Sequence, residues 1–132
     1  KVINNPNDSM HAVICTTKFS KTTKSKGIIL SFIFFNVGKK MDASVKVKIT
    51  FSDESTIFLT RSNYDIDNEV GVFNFIGAGS YGNNYEMTLL KTKPISKISI
   101  SGNEIDSYTY VIDQLKSLDY MIGMECLWNL SK

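Results

Sequence analysis

The chain has 132 residues, of which 42% are hydrophobic and 21% charged, and a formal net charge of +2. That composition belongs to a packed single domain and excludes disordered, collagen-like and linker-like chains. The longest apolar run, Ile28 to Phe35 with Ser31 inside it, falls far short of the ~20 residues a helix needs to cross a bilayer.

The net charge conceals a division. Residues 1–52 carry nine lysines against Asp8 and Asp42, while residues 53–132 carry six basic and eleven acidic residues. A basic patch that meets an acidic partner is one reading. Interleaving of the two halves, so that their fields cancel, is the simpler expectation. The chain begins at Lys1, as a mature form freed of a targeting peptide would, and a secreted or cell-envelope location is the working expectation.

Residues 1–10, with Asn4, Asn5, Pro6, Asn7 and Asp8, read as a mobile lead-in to one domain spanning 11–132. His11 to Phe19 is rich in β-formers and predicts a strand. Ile28 to Phe35 is apolar on both alternating sets, the pattern of a central strand covered on each side. Ser44 to Phe51 alternates most clearly, with Val45, Val47, Ile49 and Phe51 against Lys46, Lys48 and Thr50. Thr56 to Arg61 alternates again after the turn chemistry of Ser52-Asp53-Glu54-Ser55, which predicts a β-hairpin.

Further strands are expected over Val70–Ile76, around Ile95–Ile100 and over Ser107–Ile112. Tyr85–Lys91 is ambiguous between a strand and a short helical turn. Asp113 is placed to cap a terminal helix. Leu115, Leu118, Ile122 and Cys126 form its apolar stripe, widened by Met121, Met124 and Leu127. Short strands at this rhythm predict a mainly β fold: an antiparallel β-sandwich of about 7–8 strands closed by one C-terminal α-helix.

Cys15 and Cys126 are the only cysteines and His11 the only histidine, so zinc ligation is not expected. The two cysteines are candidates for one disulfide, worth about 4–5 kcal/mol in the chain-entropy model. Two buried free thiols are the alternative.

Gly77-Ala78-Gly79-Ser80-Tyr81-Gly82 follows an expected strand and fits G-x-G-x-x-G. The segment Val70–Glu104 thereby resembles the nucleotide-binding turn of Rossmann dehydrogenases. The resemblance implies a small nucleotide-binding or oxidoreductase domain, with Gly77, Gly79 and Gly82 approaching a pyrophosphate and Glu104 placed as the acidic ribose ligand. It also implies a parallel βαβ unit. Asn83-Asn84-Tyr85-Glu86 is a poor helix start, however, and a loop between β-strands accounts for the glycines with less machinery.

Asn63, Asp65, Asp67 and Glu69 alternate in one loop, and their oxygens are candidate Ca²⁺ ligands. A solvated acidic loop is the simpler expectation, and no cofactor is otherwise expected. Tyr64, Tyr81 and Tyr85 lie in or beside loops, where an aromatic face with a polar tip suits a carbohydrate or protein partner. Lysines 18, 21, 24, 26, 39 and 40 cluster in loops whose only aromatic is Phe19, which does not favour nucleic acid. No catalytic constellation is legible, and the functional expectation is a non-enzymatic binding or structural module.

Overall fold

The computed structural model describes residues 2–3, 10–19, 26–60, 70–78 and 84–130. Eight strands and two helices follow one another: β1 (Val2–Ile3), β2 (Met10–Phe19), β3 (Lys26–Phe34), β4 (Lys46–Phe51), β5 (Thr56–Thr60), β6 (Val72–Ala78), α1 (Asn84–Thr92), β7 (Ile95–Ser101), β8 (Tyr108–Val111) and α2 (Gln114–Leu130). The strands form a five-stranded sheet, ordered β1-β8-β7-β4-β5, and a three-stranded sheet, ordered β2-β3-β6. All pairings are antiparallel except β1 with β8, where Val2 and Ile3 run parallel to Thr109 and Tyr110. The mainly β expectation holds, with two sheets.

Period-two patterning explains the five-stranded sheet. Val47, Ile49 and Phe51 of β4, Ile57 and Leu59 of β5, and Ile98 and Ile100 of β7 are all buried. The predicted hairpin forms, with Val47 opposite Leu59 and Ile49 opposite Ile57. Its turn places Glu54 at φ 70°, and Phe51 accepts from Glu54 N–H at 3.0 Å while donating to Ser55 at 2.9 Å.

In the smaller sheet β3 is the central strand, as its double-faced apolar run predicts. Leu30, Phe32 and Phe34 are buried; on the opposite set, Ser31 Oγ donates to Asn74 Oδ1 on β6. Residues of both sheets and both helices belong to one hydrophobic core. Burying such side chains stabilises by roughly 1.5–3 kcal/mol each.

The helices correct the expectation twice. Among the described residues there are two, not one. The alternation of Tyr85, Met87 and Leu89 mimics a strand, yet α1 buries Met87 and Leu90, three residues apart, which is helical spacing. Glu86 in its first turn and Lys91 in its last suit the helix dipole, and Pro94 follows its end.

The second correction concerns which face of α2 is inside. Asp113 caps this helix as expected, its Oδ1 accepting from Lys116 N–H at 2.8 Å. The buried positions, however, are Ser117 and Met124, with Tyr120, Leu127 and Trp128 packed against the core. Leu115, Leu118 and Ile122 are exposed, Leu115 at 77% and Ile122 at 62%. Cys126, on the same outward stripe, is a free exposed thiol, so it is unbridged. The pull that turns the helix over is partly polar: Ser117 Oγ donates to the carbonyl of Ile95 on β7. Lys91 of α1 also sits over the Trp128 ring, 5.4 Å from its centroid.

Candidate binding surface

The outward face of the five-stranded sheet presents a continuous chemical surface. Cross-strand register sets the row Val2, Thr109, Ser99, Lys48 and Phe58 across all five strands. At the usual strand spacing this row is about 19 Å long. On one side lies the row Val111, Lys97, Thr50 and Thr56; on the other lie Ser101 and Lys46. These residues alternate with the buried Ile49, Ile98, Ile100 and Tyr110, so the pleat turns them away from the core.

Three lysines therefore converge. Lys46 and Lys48, two residues apart on one strand face, are about 7 Å apart at the backbone. Lys97 is the diagonal neighbour of Lys48, about 7–8 Å away. None of the three forms an ion pair with a described residue, and no carboxylate stands in the rows. Around them are hydroxyls, of which Ser99 and Thr109 are hydrogen-bonded at 3.0 Å. Phe58 closes the row on the edge strand and is 55% exposed.

Lys93 contrasts with this trio. Its Nζ meets Asp53 Oδ2 at 2.7 Å and Ser55 Oγ at 3.1 Å, and it lies 5.7 Å from the Phe51 ring centroid. The Lys93 hydrogen bond, aided by the Ser55 hydroxyl and N–H, holds the Asp53 carboxyl well below its ordinary range. That lysine secures the hairpin end to the segment after α1, whereas the three on the sheet face have no such carboxylate partner among the described residues.

No known protein family matches this chain, and no curated protein or solved structure is similar to it. Function has to be read from the surface alone.

A concavity, about 260 Å³ in volume, lies between the segment after β3 and the β7–β8 connection. Lys39, Glu104, Asp106 and Tyr108 are among its lining residues. Glu104 therefore belongs to this pocket. Gly77 lies within β6, paired antiparallel in the three-stranded sheet, while β7 lies in the other sheet. A Rossmann unit needs both strands parallel in one sheet, so β6, α1 and β7 do not form it, although a helix does follow the glycines.

Tyr85 is 70% exposed in the first turn of α1. Tyr64, Tyr81, Gly79, Gly82, Asp65, Asp67 and Glu69 lie outside the described residues, as does the side chain of Cys15. Among the described residues no helix is long and apolar enough to cross a membrane.

The lysine trio is missed by reading along the chain, because Lys97 is brought beside Lys48 only by the pairing of β7 with β4. The usable signal is the alternation itself: Lys46, Lys48 and Lys97 each occupy the polar phase of a period-two strand.

Proposed function

We propose that this chain is a non-enzymatic binding module, built as a sandwich-like β domain, that takes an anionic partner on the outward face of its five-stranded sheet. The observation that carries this reading is the convergence of Lys46, Lys48 and Lys97 on one face without a carboxylate among them. Like charges about 7 Å apart in water, the backbone spacing of Lys46 from Lys48 and of Lys48 from Lys97, repel by roughly 0.6 kcal/mol for each of those two pairs. An anion laid between them turns that repulsion into attraction. The neighbouring hydroxyls supply hydrogen-bond donors to its oxygens.

The test is titration with dextran sulfate at low salt, read by calorimetry, for the native chain and for a variant carrying Lys46→Gln, Lys48→Gln and Lys97→Gln. The native chain binds, added salt weakens the binding, and the triple variant loses about tenfold or more in affinity. Absence of binding by the native chain, or equal binding by the variant, refutes the reading.

A further inference from the structure

We infer that the anion taken by this face is an acidic polysaccharide, with a sugar ring seated on Phe58 and its acidic group held by Lys48. This inference rests on the anionic-partner reading above and narrows it to one chemical class. Phe58 and Lys48 are direct cross-strand partners, so their Cβ atoms are about 4.5–5.5 Å apart. That is the width of one pyranose ring. A ring stacked on the exposed phenyl face brings a substituent at its rim over the ammonium group. An aromatic face and a cation side by side thus match a unit that is apolar on one face and charged at one edge.

The rest of the row fits the continuation of such a chain. Ser99 and Thr109 follow Lys48 across the sheet, offering hydroxyls where a polysaccharide offers hydroxyls. Lys97 and Lys46 flank the row on either side, placed for acidic groups that alternate sides along the polymer. A row of about 19 Å accommodates roughly four sugar units of the width set by the Phe58–Lys48 spacing.

Other polyanions fit less well. A single nucleic-acid strand calls for several stacking aromatics along its groove, and Phe58 is the only one in these rows. An acidic peptide such as poly-glutamate would use the lysines but has no ring for Phe58. An anionic lipid surface would use the lysines and would leave the Ser99–Thr109 hydroxyl pair in the centre without a specific role.

The experiment compares affinities of the full chain for polygalacturonate, poly-glutamate, a thymidine oligonucleotide and phosphatidylserine–phosphatidylcholine vesicles at one low salt concentration. Native protein and Phe58→Ala are measured in parallel, with circular dichroism confirming that the variant is folded. Lys48→Gln, which leaves the phenyl face in place, is the second variant. Polygalacturonate binds tightest, Phe58→Ala weakens that ligand about tenfold and leaves poly-glutamate unchanged, and Lys48→Gln weakens both. Equal or tighter binding of poly-glutamate, oligonucleotide or vesicles overturns the polysaccharide assignment, as does an unchanged polygalacturonate affinity in Phe58→Ala. Both of those results leave the anionic-partner reading standing; in this comparison that reading falls if none of the four probes binds.

Discussion

The rings of Phe34 and Tyr110 meet with centroids 5.5 Å apart, and this contact joins the central strand of one sheet to the second strand of the other. Both side chains are fully buried. The Tyr110 hydroxyl is buried with no hydrogen-bond partner among the described residues. A stranded donor of this kind costs about 1–3 kcal/mol relative to an apolar group of the same shape. Tyr110→Phe keeps the ring contacts and removes the stranded group. Its melting temperature should rise by about 3–5 °C for each kcal/mol recovered in a chain of this size. A fall in the melting temperature on this substitution would mean that the hydroxyl is bonded in solution.

The same residue makes stability depend on alkaline pH. Burial, with a smaller contribution from Tyr108, pushes the Tyr110 phenol from its ordinary 10.0 up to about 12. The folded state therefore holds its proton more tightly than the unfolded chain does. The stability tied to this group is complete below the unfolded value and is lost as pH rises through the folded one. Each displaced unit corresponds to about 1.4 kcal/mol. The native protein should therefore lose roughly 2–3 kcal/mol relative to Tyr110→Phe across that interval. Urea midpoints of the two proteins at successive alkaline pH values check this, and parallel curves would contradict it.

Gly71 is fixed by a different constraint. It has φ 77°, and a Cβ placed there would stand 2.7 Å from the Phe34 carbonyl oxygen and 3.0 Å from that of Val37. Its own N–H donates to the Lys39 carbonyl at 3.0 Å, and its carbonyl accepts from Phe34 N–H at 2.8 Å. Gly71→Ala combines left-handed strain with a clash against backbone, which cannot swing aside as a flexible side chain does. It should destabilise by about 2–4 kcal/mol, measured as a shift in urea midpoint at unchanged slope. A cost near zero would mean that this turn adopts another backbone conformation.

What the sequence made legible follows the physics of each element. The β4–β5 hairpin could be read because Val47, Ile49 and Phe51 alternate with lysine and threonine, and a strand pleat admits only one way to bury them. The double-faced run of β3 and the Asp113 cap were legible for similarly local reasons. The face of α2 was not. Leu115, Leu118 and Ile122 form as good an apolar stripe as Met121, Met124 and Leu127, so periodicity offers two solutions. The choice is made by tertiary contacts, namely Ser117 to Ile95 and Lys91 over Trp128. Helix α1 was obscured by an accidental alternation, and the basic face by the long separation of Lys48 from Lys97 along the chain.

The orientation of α2 is itself open to a sharp test, because the two apolar stripes predict opposite costs. Met124 is fully buried against the core, and Met124→Ala removes packed volume there, so it should cost about 2–5 kcal/mol. Leu115→Ser and Ile122→Ser alter side chains that stand in solvent. Each should change stability by no more than about 0.5 kcal/mol, apart from a small loss of helix propensity at either position. Were Leu115 and Ile122 instead the inner face, the ranking would reverse, with the serine variants strongly destabilised and Met124→Ala nearly silent. Denaturant midpoints of the three single variants discriminate the two arrangements without any knowledge of a ligand.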